Sequence, residues 1–325
     1  MPLTDHPAGR DGPLYAVLED LKLDRYLSAR ELLAATGDNW KLRTFRSLVI
    51  ALYAARGHAI EAWLSEHPDE PNARMMYARV LTQRVLQARQ ASDFALAAAA
   101  NNARQACHDA ARAHPADPVP YVCLLALAQL DIDHRRPQRS EHWASPPRSE
   151  VLPDGPWPLL WAVRQRDPEN REAYQRMLQY FQARRAGARS FAHWAYTRAF
   201  ECSELLMLPL YVYVDDFLWM RAHQQISDFT YWTDVQVKNC AQRARDGWFQ
   251  YLDADTLTSP ELSMSLNHLA YALTASGVGG AGPVFRAIDR YVTQPWQSLA
   301  SRRVHWTAEF AKVRDAALRD EEAYA

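Results

Sequence analysis

Apolar side chains recur at three- and four-residue spacing along most of the chain, the period of an amphipathic helix, and runs that alternate every second residue are scarce. Behind Asp11-Gly12-Pro13, the residues Leu14, Val17, Leu18 and Leu21 share one helical face, and Pro13 suits a first turn, where its missing N–H costs nothing. Ser28 followed by Glu31 has the spacing of a capping box, in which each side chain satisfies a free backbone donor. Gly37 predicts a stop, and Asp38 or Asn39 caps a helix from Trp40 to about Arg56 that ends at Gly57. In that helix Trp40, Phe45, Leu48 and Leu52 read as a packed stripe. The same punctuation continues to the end: Thr258-Ser259-Pro260-Glu261 opens a helix, Gly277 closes it, and Pro283 and Pro295 open two more. Leu205 to Val214, with Tyr211 and Tyr213, has strand propensity, but no other segment offers a partner strand. A helix is predicted there, with Pro209 in its first turn or at a kink. The fold class expected is all-α, built from antiparallel helical hairpins.

Two regions interrupt the rhythm. Pro137 to Pro158 carries six prolines together with Trp143 and Trp157, which forbids regular helix over most of its length. Such a segment is either a functional loop or an inserted connection between helical blocks. Gly277-Val278-Gly279-Gly280-Ala281-Gly282 is glycine-rich but lacks the Gly-Lys-Ser/Thr ending and preceding strand of a phosphate loop, so it reads as a helix connector.

Three junctions are alike: His67-Pro68-Asp69-Glu70-Pro71-Asn72, His114-Pro115-Ala116-Asp117-Pro118-Val119 and Asp167-Pro168-Glu169-Asn170-Arg171-Glu172. In each, proline ends one apolar helix, and an acidic residue favours the positive start of the next. Six residues beyond the junction proline stands Arg74, Tyr121 or Tyr174. Upstream of Pro115, the residues Phe94, Ala103 and Ala110 fall at the spacing of the aromatic and the two small residues of a tetratricopeptide repeat. Tyr174, Met177 and Phe181 match a first repeat helix. From about Pro68 to Cys202 the chain resembles a degenerate tetratricopeptide-type array. Its junctions lie 47 and 53 residues apart, against about 34 for a regular repeat. The family's first-helix glycine is replaced by Ala78, Ala91, Leu125 or Leu178, and its carboxylate-clamping positions are not reproduced. The resemblance implies hairpins stacked as a tetratricopeptide-like α-solenoid, with a partner surface on its first helices.

Composition narrows the function more than it identifies one. With 37 basic and 38 acidic residues, net charge −1, no global field draws nucleic acid or an anionic membrane. The longest uncharged apolar stretches, Val119 to Leu130 and Leu205 to Val214, are too short to span a bilayer, and residues 1–10 lack the apolar run of a secretory signal. A cytoplasmic location without membrane or nucleic-acid partners is expected. Cys107, Cys123, Cys202 and Cys240 have no metal-site spacing and read as reduced core thiols. The 11 tryptophans read as packing.

Candidate chemistry gathers at His193, Asp216 and His223, where carboxylate and imidazoles on facing helices are the materials of an acid/base or metal site. The Glu-x-x-His pair of a di-iron bundle is missing, and a polar stripe explains the same residues. His305 and Glu309 have ligand spacing but also that of a surface pair. No nucleophile elbow or cysteine-centred motif occurs, and no cofactor or metal is expected.

The expected organisation is an N-terminal helical cap over 1–66, tetratricopeptide-like repeats over 67–204 with an inserted loop at 137–158, and a C-terminal helical region over 205–325. The expected function is a protein-interaction scaffold or adaptor binding a protein or peptide in the helical groove. Arg79, Gln175 and Gln179 are placed on the groove, off the stripes containing Tyr77, Leu81 and Tyr174, and Arg139, Trp143 and Arg148 supply a basic, aromatic loop surface. The alternative is an enzyme or small-molecule binder using an aromatic-lined pocket between helices of residues 191–251.

Overall fold

The computed structural model describes residues 2–88, 93–130, 144, 146, 152–223, 228–299 and 305–324. Among them there is no strand, only isolated bridges between Thr4 and Tyr291 and between Ala144 and Gly155. The chain divides into two compact units, residues 11–188 and residues 189–325 with 1–10. The expected boundaries at 66/67 and 204/205 both fall inside these units.

The 11–188 unit holds α1 (Gly12–Lys22), α2 (Leu27–Thr36), α3 (Trp40–Ala54), α4 (Ala59–Glu66), α5 (Pro71–Gln87), α6 (Asp93–Ala113), α7 (Val119–Ala128), α8 (Trp157–Arg164) and α9 (Arg171–Ala183). Each odd-numbered helix packs on the next odd-numbered one, and each even-numbered helix packs on the odd one that follows. α7 occupies the centre. It touches α5, α6, α8 and α9, and all its residues except Tyr121 are buried, as expected of a helix apolar on every side.

Short polar side chains set the helix starts. Asp11 accepts a hydrogen bond from Leu14 N at 3.2 Å, Asn39 from Leu42 N at 3.3 Å, and Asn170 from Ala173 N at 3.0 Å. The capping box at Ser28 and Glu31 does not form. α2 starts two residues earlier than a Ser28 cap requires, with Tyr26 as its N-cap, so the Ser28 hydroxyl lies inside the first turn without a partner. The stripe expected of α3 is also displaced: Arg43, Thr44, Ser47, Val49, Ile50, Ala51 and Ala54 are its buried residues, while Leu52 is exposed and Trp40, Phe45 and Leu48 are half-buried. Phe94 is 87% exposed, because Asp93 to Ala113 is one unbroken helix. An alanine-rich run with no glycine or proline gives the chain no reason to turn between Phe94 and Ala103.

The second unit holds α10 (Ala188–Arg198), α11 (Leu208–Ala222), α12 (Asp228–Trp232), α13 (Val235–Gly247), α14 (Ala254–Leu257), α15 (Ser263–Ser276), α16 (Gly282–Ile288), α17 (Trp296–Leu299) and α18 (Trp306–Tyr324). The segment from Leu205 is helical, as its sequence predicts, with Pro209 in the first turn of α11. α15 forms the middle, against α11, α12, α13 and α16, and ends at Gly277, whose φ of +67° a side chain would strain. Ring contacts of 5.1–5.5 Å run from Phe217 through Trp232, Tyr271 and Trp296 to Phe310, so these aromatics are spent on packing. Residues 1–10 belong here through Thr4, paired with Arg290 and Val292 at 2.9 Å, and through Arg10, which donates to carbonyls of Leu257, Ala287 and Ile288.

Candidate functional site

The inner side of the odd-numbered helices is filled by charge. Arg79 on α5 is 2% exposed and does not face an open groove. Its guanidinium donates to buried Glu172 at the start of α9, to Thr44 O on α3 at 3.4 Å and to Cys123 Sγ on α7 at 3.6 Å. The expectation of a groove-facing Arg79 fails because Arg79 shares the inner face of α5 with Met75, Val80 and Thr82. There a charge is tolerated only with a counter-charge and hydrogen bonds. Glu172 is further held by Arg176, 2.8 Å away. Burial alone would raise its pKa, but the two guanidinium groups outweigh that and hold it below its ordinary value.

A second buried pair lies alongside. Arg43 donates to Asp117 at 2.7 and 2.9 Å and to Asn72 at 2.8 Å, while Asp117 also accepts from Val119 N at 2.9 Å. Asn170 donates to Thr44 Oγ1 at 3.1 Å and Asp167 at 2.9 Å, which joins the start of α9 to α3. Burial raises the Asp167 pKa. These polar residues hold α3, α5, α7 and α9 to one another, and the sequence reading missed them because each pair joins residues far apart in the chain.

The outer side of α5 is open. Between α4, α5 and α6 lies a cleft of about 460 Å³, walled by Arg74 and Tyr77 of α5 and by Asn102, Gln105, Asp109 and Arg112 of α6. Tyr77 and Leu81, expected on the packed stripe, are both half-buried, and Tyr77 lines this cleft. Gln179 on α9 is exposed and accepts from Arg176 at 2.9 Å; Gln175 is half-buried. Arg79 is therefore not on one surface with them. Arg139, Trp143 and Arg148 lie outside the described residues.

In the second unit, two of the three candidate catalytic residues each meet one member of the Arg189–Tyr213 pair. His193 Nε2 is 3.2 Å from the Tyr213 hydroxyl, and Asp216 pairs with Arg189 at 2.5 Å, with the guanidinium 5.8 Å from the centre of the Tyr213 ring. Burial, with Arg189 adding, lowers the His193 pKa, which leaves the imidazole neutral at pH 7. His223 stands apart, exposed at the end of α11 and stacked on Trp219 at 4.3 Å, because Trp219 one turn earlier captures both its ring and its Nδ1. Among the described residues no three His, Cys, Asp or Glu side chains are grouped to hold a metal.

The glycine-rich segment joins α15 to α16 and borders a cleft of about 650 Å³, with Leu273, Val313 and Ala317 apolar and Lys312 and Asp320 charged. Cys107, Cys123 and Cys240 are buried, whereas Cys202, expected in the core, is exposed in the turn after α10, with a φ of +66°. Among the described residues, no helix is long and apolar enough to cross a membrane. Compared with protein-family models, curated proteins and solved structures, the chain has no match.

Proposed function

We propose that the 11–188 unit is a tetratricopeptide-like interaction scaffold that binds a peptide segment of a protein partner in the outer cleft between α5 and α6. The observation that carries this reading is the cleft itself, with Tyr77 half-buried beside Arg74 and facing the Asn102, Gln105, Asp109 and Arg112 edge of α6. Tyrosine and arginine are the side chains that most often anchor partners, and amide groups on the opposite wall can pair with an extended backbone. The serial packing of odd-numbered helices supports the solenoid architecture, in which stacked hairpins leave continuous side-chain surfaces for a partner. The inner surface is filled by the Arg79–Glu172 and Arg43–Asp117 pairs, which directs the reading to the outer one.

Selection of a displayed library of random linear peptides on the purified chain tests this. Enrichment of a common motif by the wild type, lost in Arg74→Glu/Tyr77→Ala with an unchanged circular dichroism spectrum, is expected. Equal enrichment by the variant, or none by the wild type, overturns it. The pairing of neutral His193 with Tyr213 favours a second reading, a small-molecule site in the other unit. Loss of small-molecule binding in His193→Ala with peptide selection unaffected would move the function there.

A further inference from the structure

The second unit has a cleft of its own, walled by the end of α15, the glycine-rich connection and α18. α16 packs on both α15 and α18. The α18 wall is pinned at two places. Phe310 is buried against Phe285 and Trp296, with ring centres 5.4 and 5.1 Å apart, and Arg286 pairs with Glu321. Between these anchors Val313 and Ala317 continue the Phe310 face at helical spacing, yet they are only half-buried and line the cleft with Leu273. Its volume of about 650 Å³ is that of a small-molecule site. The glycine rim is held in place. Arg245 of α13 donates to Gly279 O at 3.0 Å, and a side chain on Gly280 would run into Arg245, as one on Gly282 would run into Glu321. The N–H groups of Gly279 and Gly280 donate to no described residue.

Opposite charges stand at the two ends of the α18 wall. Lys312, Ala316 and Asp320 follow one another at four-residue spacing on one face, so the residues bearing the ammonium and the carboxylate lie about 12 Å apart along the helix. Both are exposed, and neither forms an ion pair among the described residues. Glu321 adds a second carboxylate beside Asp320, and its Oε2 atom is buried without a partner. These two acids lie near the C-terminal end of α18, where the helix dipole disfavours negative charge and attracts cations, and no basic residue in the last turn offsets them.

We propose that this cleft binds a short apolar peptide of about three residues with both termini free. Three residues of extended chain span roughly 10 Å, which brings the peptide ammonium to Asp320 and Glu321 and its carboxylate to Lys312. The peptide side chains lie on Leu273, Val313 and Ala317. Its carbonyl groups accept from Gly279 and Gly280, because a peptide backbone taken out of water needs partners. A hydrocarbon ligand would leave those donors and the charged ends unused. The cleft and the peptide surface proposed for the 11–188 unit are separate sites, and neither reading depends on the other.

The test is isothermal titration calorimetry of the full chain with tri-leucine as the probe, alongside its N-acetylated and C-amidated forms. Tri-leucine is expected to bind at a single site, and blocking either terminus to weaken it by about tenfold, the loss of one charge-assisted contact. Lys312→Ala should bind the acid and the amide equally, and Asp320→Asn should bind tri-leucine more weakly than the wild type does. Both residues are exposed, so these variants keep the fold. Ala316→Trp fills the cleft and should abolish binding with an unchanged circular dichroism spectrum; should it not fold, Lys312→Ala decides. No binding up to millimolar peptide overturns the proposal, as does equal affinity for free and blocked peptides. Binding that survives in folded Ala316→Trp and is lost in Arg74→Glu/Tyr77→Ala belongs to the cleft between α5 and α6 and overturns it too.

Discussion

Replacing Arg79 by leucine removes the positive partner of a carboxylate that water cannot reach. Arg79 and Glu172 have side chains only 3% and 7% exposed, so the remaining charge is not rescued by solvent. Breaking such a pair from one side costs about 3–5 kcal/mol. The lower end applies here, because Arg176 stays 2.8 Å from Glu172. For a unit of this size about 1 kcal/mol corresponds to roughly 2–4 °C, so the calorimetric transition of the 11–188 unit should fall by about 6–12 °C. Replacing both residues by leucine leaves neither charge stranded and should recover much of the loss, giving a coupling of at least about 2 kcal/mol in a double-mutant cycle. Acid provides an independent check. Glu172 is held below its ordinary value of 4.5 in the fold, so the unfolded chain takes up its proton first. The pair's stabilisation is complete above that value and is lost as pH falls through the lower folded pKa. The gap between wild type and Glu172→Gln should therefore be widest near neutrality and narrow on acidification. An Arg79→Leu loss below about 1 kcal/mol, or additive single and double variants, would refute the reasoning.

Tyr174 is 1% exposed and Tyr121 half-buried under Arg166, whose guanidinium is 4.1 Å from the ring centre. In urea unfolding, Tyr174→Ala should cost about 3–5 kcal/mol and Tyr121→Ala about 1–2 kcal/mol; equal losses would count against the burial difference. Asn39→Ala removes the cap of α3 and should cost about 1 kcal/mol, whereas Ser28→Ala, which removes a hydroxyl with no partner, should be neutral or slightly stabilising. The reverse order in the same melts would reinstate the capping box.

How far the sequence could be read depends on how local each device is. Gly37 and Gly277 end helices as expected, Asn39 caps α3, and Pro209 sits in the first turn of α11, since each acts on backbone within a turn of itself. Ser28 misled because Tyr26 and Ser28 are competing starts two residues apart, and local chemistry does not choose between them. Phe94 misled because a repeat spacing can be met by a single helix with no turn between the matching residues. For the candidate site, His193 and Asp216 were visible as residue types, but their partners Tyr213 and Arg189 were not.

The periodicity of apolar residues and the prolines and glycines between them determined an all-helical chain, because helix propensity, caps and stops are properties of neighbouring residues. Which way each charge points was decided by the tertiary structure. Arg79 looks in sequence like any solvated arginine on a helix flank, and it becomes an interior residue only because Glu172, 93 positions later, arrives with its own charge at the same place. Desolvation penalises either group alone and is offset for the two together, so the location of each is fixed by a contact that the one-dimensional pattern does not contain.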